Sequence, residues 1–513
     1  MSQSTLILGL SVAYLGLLFV VAHFGERRAV NWSRSRAGPI IYALSLAIYC
    51  TSWTFYGAVG RAATVGLDFT LIYVGPALVV LFGWPVLAKI VRLAKRHNVT
   101  SIADFLAARY GKSRAVAVTV TLIATIGVLP YVALQLQAVS TTFAALAGPI
   151  TISPATGQPV WYDTAFIVAL LMAVFTILFG VRHVQASEQH RGMMLAIAFE
   201  SIVKLAALLA VGPFVVWWMF DGPADLVAMV DRAVQNPALT ALAPNGNWLA
   251  ITILSGLAFL CLPRQFHVAV VEHDHPKSLL HARWLFPLYM LLINLFVVPI
   301  ALAGLALLGP GHNPDLFVLS LPMSGGNDWL SIFVFIGGLS AATSMVAVAC
   351  MALSGMVGNE LVMPLILRRD EDIKSNIGRR ALLVRRLSVI AILLAAYAYH
   401  RTIAGLLPLA TIGMVSFCAV ANFAPALVLG LYWRRMHRVR RDRRPVRRLL
   451  RLVRRRAVAD ARAWQCPARP AGHGAARLGR SIAARLRGWP RRQPRPPGRR
   501  LAADPRARAR PAP

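Results

Sequence analysis

The sequence predicts an all-α protein that crosses a membrane about eleven times, and three observations support this fold class. Of the 513 residues, 57% are hydrophobic and only 14% are charged, whereas about 25% of a typical soluble domain is charged. Eleven apolar runs are long enough to cross a bilayer as helices. The loops that join these runs are alternately rich and poor in Lys and Arg. We therefore expect a polytopic membrane protein.

The apolar runs define the predicted spans. They fall near 6–24, 40–60, 69–93, 114–147, 163–180, 191–219, 249–265, 282–308, 328–356, 381–400 and 402–433. Basic residues follow spans one, three, five, seven and nine, and the alternate loops are nearly free of them. Because basic loops stay in the cytoplasm, the N-terminus is predicted outside and the end of span eleven inside.

Spans two to six and seven to eleven form two groups of five, and the odd number gives the groups opposite orientations. This is the pattern of an inverted repeat. The first span of each group is disturbed, by Pro263 and Arg264 in span seven and by the polar stretch 49–57 in span two. A break at membrane depth leaves backbone carbonyls unpaired and is tolerated only inside protein or beside a cavity. Transporters build their solute and ion sites at such breaks.

Two charged residues lie within the apolar run of span six. Glu200 and Lys204 are four residues apart and therefore share one helix face. Isolated charges at membrane depth are costly, so the pair is predicted to form a structural ion pair or to face a cavity. The alternative is a proton or ion relay.

The cluster Glu272-His273-Asp274-His275 has the residue types of a metal site, but its spacing matches no standard one. It is predicted to be a solvated cytoplasmic loop, and no transition-metal site is expected. The chain also lacks a recognisable phosphate-binding glycine loop, nucleophile constellation or kinase catalytic region. No catalytic residue is therefore predicted.

The chain divides into two parts at Arg438. Residues 439–513 are rich in Arg, Pro and Ala, and with 24 Arg and 3 Asp they carry +21 of the formal net charge of +34. Because they contain no Lys or Glu, we interpret them as high-GC coding sequence read out of frame, which predicts no nucleic-acid partner. The alternative is a genuine disordered tail that binds anionic lipid or nucleic acid.

Four stretches of the sequence carry recognisable motifs, namely GLAFLCLPRQFHVAVVEHDHPKSLLHARW (256–284), TSIADFLAARYGKSR (100–114), GGLSAATSMVAVACMALSGMVGNELVMP (337–364) and ANFAPALVLGLYWRRMHR (421–438). They resemble signatures of the sodium:solute symporter family, which includes proline and sugar symporters. The resemblance covers roughly residues 1–438 and implies a leucine-transporter-type core of five plus five helices. It also implies a location in the bacterial inner (plasma) membrane.

The resemblance implies a sodium site between spans two and nine. Its ligands would be the backbone carbonyls of Ala47 and Cys50 with the hydroxyls of Thr343 and Ser344, and Ser340 lies one turn away. Oxygen ligands suit a hard cation. The alternative is that these hydroxyls only allow two helices to approach and to bond to each other.

One position departs from the family pattern. Tyr49 stands where symporters of the family have an acidic residue, and Glu188 matches another acidic position that would partly compensate. The departure weakens the case for tight sodium coupling.

The family's solute pocket lies at the midplane beside the broken helices. The candidate residues carried over are Thr51, Ser52, Trp53 and Tyr56 on span two and Gln135 on span four. Aromatic side chains with an amide suit a small polar solute such as an amino or organic acid. Alternatively, the two aromatic residues serve packing or interfacial anchoring.

The resemblance leaves two functions open. The first is a secondary transporter with the solute, Na+ and the lipid bilayer as partners and no other cofactor. The alternative follows from LPRQFHVAVVE and EQHRGMMLAIAFES, which resemble the membrane input region of bacterial sensor histidine kinases. The kinase domains of such a two-component sensor are missing from this chain, so enzymatic activity would require the downstream frame.

Overall fold

The structure is a computed structural model. It describes residues 3–28, 37–147, 163–181, 190–233, 247–273, 276–309, 311–369, 377–403 and 408–432. Glu188 and the predicted tail 439–513 lie outside these residues.

Within the described residues every regular element is helical, so the all-α prediction is confirmed. The helices of the first half are α1 (Gln3–Arg28), α2 (Ala37–Leu46), α3 (Ala58–Val65), α4 (Leu71–Leu81), α5 (Trp84–Arg96), α6 (Ile102–Arg109), α7 (Arg114–Ala147), α8 (Thr164–Gly180), α9 (Arg191–Pro213) and α10 (Pro223–Ala233). Those of the second half are α11 (Trp248–Cys261), α12 (Pro263–Phe266), α13 (Pro276–Asn294), α14 (Val297–Leu308), α15 (Phe317–Ser324), α16 (Asp328–Met356), α17 (Met363–Arg369), α18 (Ile377–Ile403), α19 (Leu409–Ala421) and α20 (Ala424–Tyr432).

The predicted spans coincide with apolar helices, although not every helix is long enough to cross a bilayer alone. In the described part of the chain, eight helices meet that test, and α11 with α12 makes a ninth across a 57° bend. Shorter apolar helices, Ala37–Tyr49 and Thr164–Leu178, cover predicted spans two and five. Span two is interrupted at a break: its first half ends at Tyr49, and helical structure resumes at Trp53 and runs to Val65, before a turn at Gly66.

α16 lies at the centre of the described helices. Its side chains from Gly337 to Leu353 are nearly all buried, and it packs against α7, α8 and α9. A helix that is apolar on every side needs such surroundings. Small residues on α16 allow close approach, and the missing side chain of Gly338 makes room for the ring of Tyr56. The broken span two is therefore held directly against the central helix.

Span three crosses the first half of span seven at another pair of small residues. Gly75 on α4 faces α11 so closely that a side chain there would overlap the carbonyl of Thr252. At the same crossing, Ser255 Oγ donates to the Leu71 carbonyl at 3.1 Å. Such contacts hold helices together where lipid supplies no hydrophobic driving force.

Candidate functional site

The first break lies between Tyr49 and Ser52. α2 tightens into a 3-10 turn at Ala47–Tyr49, and Cys50 then adopts an extended conformation with φ −79° and ψ 101°. The helix resumes as a π-helical segment, Trp53–Gly57. All residues of this stretch are buried, so its backbone polar groups need partners within the protein.

The freed carbonyls are bonded by Lys204. Its ammonium Nζ donates to the Ala47 carbonyl at 2.9 Å and to the Cys50 carbonyl at 2.7 Å, and the side chain is fully buried. These are the two carbonyls predicted as sodium ligands. The break therefore contains a positive charge that belongs to the chain itself.

The direct ion pair predicted between Glu200 and Lys204 is absent, and this prediction is wrong in its geometry. Lys204 bonds to the carbonyls described above, and the Glu200 carboxylate instead accepts from the hydroxyl of Thr343. The two charged groups still influence each other electrostatically. The prediction that Glu200 and Lys204 share one helix face is correct, but each side chain has a closer partner in another segment of the chain.

The hydroxyl groups predicted as sodium ligands lie on the same side of α16. Ser340 Oγ donates to the backbone carbonyl of Glu200 at 2.9 Å, and Ser344 Oγ donates to the Ser340 carbonyl at 3.0 Å. Thr343 is also within reach of the Leu339 carbonyl at 3.0 Å. Because a hydroxyl has one proton, Thr343 can serve either that carbonyl or Glu200, but not both at once.

The second break follows Cys261. Leu262 is extended, with φ −62° and ψ 126°, because a residue before proline disfavours helical geometry. Pro263 then occupies the first turn of α12, where its missing N–H costs nothing. The two breaks meet, because Gln265 Nε2 donates to the Leu46 carbonyl at 3.1 Å.

Arg264 lies at this second break and is fully buried. Its guanidinium carbon Cζ is 4.3 Å from the centroid of the Tyr131 ring. Among the described residues, none forms a hydrogen bond with its Nε, Nη1 or Nη2 atoms. The guanidinium therefore has a cation–π contact but no acceptor for its N–H groups.

Four of the five predicted solute residues come together at the first break. Thr51 Oγ1 is 3.0 Å from the hydroxyl of Tyr131, and the Ser52 N–H donates to Gln135 Oε1 at 3.1 Å. Trp53 stands against Tyr131 with ring centroids 6.1 Å apart. Tyr56 does not join this group, because its ring faces Gly338 on α16.

Two aromatic residues of the site were missed by the sequence reasoning. Tyr131 and Phe417 stack nearly parallel, with centroids 6.0 Å apart and a 6° interplanar angle, and Trp53 packs on Phe417 at 5.0 Å. Tyr131 lies four residues before Gln135 and next to Pro130, and this helical spacing was an available signal. Phe417 sits in a plain apolar run of α19, where nothing in the local sequence distinguishes it.

The prediction of a solvated loop at 272–275 is wrong for Glu272 and His273, which are both buried. Glu272 Oε1 is 2.9 Å from the ring atom His190 Nδ1 and 3.0 Å from the ring atom His267 Nε2. Glu272 Oε2 accepts a hydrogen bond from the backbone N–H of His190 at 2.8 Å. Asp274 and His275 lie outside the described residues. The loop prediction failed because one partner of Glu272, His190, lies 82 residues away in the chain.

The electrostatics of this carboxylate follow from its contacts. Burial raises the pKa of the Glu272 carboxyl, but the hydrogen bonds to His190 and His267 outweigh burial and lower the pKa overall. The ligand atoms of the three side chains lie within 4.8 Å of one another, as in a metal site. The carboxylate is already bonded to both rings, so its own bonding does not require an ion.

Comparison with known proteins places these features in a wider group. A model of the sodium:solute symporter family matches residues 33–439. The uncharacterized symporter YodF of Bacillus subtilis (strain 168) is 22% identical over 444 residues, which cover 84% of this chain and 82% of that protein. Among solved structures, a substrate-bound, outward-open Na+-coupled sialic acid symporter superposes with a TM-score of 0.61 at 15% identity, covering 84% of this chain and 87% of the other. The likeness confirms the predicted leucine-transporter-type fold.

Proposed function

Because the chain belongs to the sodium:solute symporter family, we propose that it is a secondary transporter for a small polar solute that carries a carboxylate, such as an amino or organic acid. It is a multi-pass integral membrane protein, and two of its helices are broken. Alternating access around such breaks moves solute across the membrane. Family membership implies Na+ as the co-transported ion.

The unpaired guanidinium of Arg264 carries the proposal for a carboxylate. A buried charge without hydrogen-bond partners is costly, and the contact with Tyr131 offsets only part of that cost. A carboxylate matches the fork of guanidinium N–H groups and accepts two of them together. Arg264 is therefore proposed to hold the acidic group of the solute.

The surroundings of Arg264 suit a small solute with polar and apolar parts. Tyr131 links the guanidinium to the first break, since its ring contacts Arg264 and its hydroxyl contacts Thr51. Gln135 and Ser52 supply amide and hydroxyl groups on the same side, and Trp53 supplies an aromatic wall. Arrangements of a few polar groups among aromatic walls are typical of small-molecule sites.

Binding to purified protein tests this proposal. A panel of amino and organic acids, each with its methyl ester, is screened by thermal stabilisation, and uptake of any compound that stabilises is measured in proteoliposomes. We expect stabilisation by an acid and not by its ester. Arg264→Gln should weaken binding about 10- to 100-fold, since a charge-assisted hydrogen bond contributes about 1.5–3 kcal/mol. Arg264→Lys should retain part of the affinity.

Arg283→Gln is the matched control. Arg283 donates to the Leu81 carbonyl at 3.0 Å and contacts the rings of Trp84 and Trp284, away from both breaks. The Arg283→Gln substitution should leave solute binding unchanged. An ester that binds as well as its acid, or an Arg264→Gln variant with full affinity, would rule out the assigned role of Arg264.

Sensing is the second candidate function, and it rests only on the resemblance of LPRQFHVAVVE and EQHRGMMLAIAFES to the input regions of sensor histidine kinases. The comparisons above do not bear on it. Sequencing of the gene through codon 438 and downstream tests it. A one-base correction that restores an apolar helix followed by a kinase would support sensing, and an intact frame would leave transport alone.

A further inference from the structure

We propose that the ammonium of Lys204 is the resident cation at the break in span two and that it occupies the position predicted for Na+. This inference rests on the proposed transport function and replaces, at this one position, the Na+ that family membership implies. The occupancy of the cation position can be tested without any solute.

Lys204 lies at the position predicted for sodium. The carbonyls of Ala47 and Cys50 are separated from Lys204 by more than 150 positions in the chain, yet both converge on its nitrogen at 2.9 and 2.7 Å. An ammonium carries the same unit charge as Na+ and also requires oxygen partners. A second cation between the same carbonyls would be strongly repelled at such short range. Lys204 and Na+ are therefore mutually exclusive there.

Two of the hydroxyl groups predicted as sodium ligands have partners of their own. The hydroxyl of Thr343 is bonded to the Glu200 carboxylate, and Ser340 is bonded to the Glu200 backbone carbonyl. The α16 side of the position is thus connected to a carboxylate one helical turn from Lys204. The ammonium takes the place of the ion, and the Glu200 residue engages two of the hydroxyl groups that would have bound it.

The test uses Na+ itself as the probe. Thermal unfolding of the purified full chain is measured at about 150 mM Na+, K+ or N-methyl-D-glucamine, which holds ionic strength near the physiological value. Wild type should show no Na+-specific shift. Lys204→Ala vacates the carbonyls and should gain a saturable, Na+-specific rise in Tm of about 2 °C or more. Lys204→Met, which fills the space without charge, should not gain it.

Lys95→Ala is the matched control, because Lys95 Nζ also donates to a backbone carbonyl, that of Val271 at 2.8 Å, but at an exposed position. It should gain no response to Na+. A Na+-specific stabilisation of wild type that Lys204→Ala removes or leaves unchanged would overturn the proposal. If Lys204→Ala does not fold, Lys204→Ser replaces it. If neither folds, wild type decides, because a Na+-specific shift contradicts the proposal and its absence supports it.

The outcome is independent of the carboxylate proposal, since no solute is present. Failure of Arg264→Gln to alter solute binding leaves the Lys204 result unchanged.

Discussion

At the scale of single residues, the two buried cations of the core differ in how their charge is compensated. Lys204 has two backbone carbonyls within 2.9 Å, whereas Arg264 has an aromatic face and no acceptor among the described residues. A buried cation that is hydrogen-bonded within the protein stabilises the protein without a ligand. A buried cation without hydrogen-bond acceptors favours binding of a ligand that supplies them. This difference separates the group that holds the helix break from the group proposed to recognise the solute.

The residue types around the first break were predictable from the sequence, but their hydrogen-bond partners were not. The four-residue spacing of Glu200 and Lys204 correctly predicted that the two residues share one helix face. Their actual partners, Thr343 and the carbonyls of Ala47 and Cys50, lie on other helices and are fixed only by packing. No local pattern carries that information, since bonds such as that from Lys204 to Cys50 join residues far apart in the chain.

Glu272→Gln should destabilise the protein at neutral pH. The variant replaces a buried carboxylate bonded to His190 and His267, and loss of one charged hydrogen bond costs about 1.5–3 kcal/mol. Because the pKa of Glu272 is lowered from its ordinary value of 4.5, its contribution is complete above that pH and is lost as the pH falls toward the folded pKa. The difference in Tm between wild type and variant should therefore be constant near neutrality and shrink in acid.

The control for this prediction is Glu360→Gln, at a half-buried glutamate of the segment Val357–Val362. It should change Tm much less at neutral pH. Equal effects of the two substitutions, or a Glu272→Gln difference that grows in acid, would mean that the histidine contacts do not stabilise the carboxylate.

At the scale of elements, the broken helices depend on close contact with α16. Gly338→Ala places a methyl group where the buried ring of Tyr56 now lies. The ring cannot move without displacing the π-helical segment Trp53–Gly57, and overpacking of this kind costs about 1–3 kcal/mol. We expect a lower Tm in detergent and weaker solute binding, because Ser52 also reaches the Gly338 carbonyl.

Gly355→Ala on the same helix is the control, since no heavy atom lies within 4 Å of the added methyl. It should be neutral or stabilising by up to about 1 kcal/mol, the usual effect of replacing a helical glycine. If both substitutions lower Tm equally, the tight contact at Gly338 is not the cause.

The positions of both helix breaks were predictable, and their geometry was not. Pro263 and the polar stretch 49–57 indicated interruptions, because proline and competing hydroxyl groups disfavour a continuous helix. The π-helical segments that follow each break, Trp53–Gly57 and His267–Val271, have no sequence signature of their own. The apolar run predicted as span two is therefore divided between α2 and the helical segments from Trp53 to Val65.

At the scale of the whole molecule, the described helices end at Tyr432, and the family match ends at residue 439. We expect a chain that stops at Arg438 to keep the Tm of the full chain within about 2 °C, a shift equivalent to about 1 kcal/mol or less. Circular dichroism during heating in detergent measures it. A large loss of stability would show that residues 439–513 support the helices, against the reading-frame hypothesis.

The cation held by the first break is covalently part of the chain, so its presence at the break does not depend on the salt concentration of the solution. A free ion leaves its site when its concentration falls below the dissociation constant, whereas a tethered group keeps the same effective concentration in any bulk solution. The ammonium of Lys204 cannot be diluted away from the carbonyls of Ala47 and Cys50. The broken helix therefore keeps its central charge in fresh water as in brine.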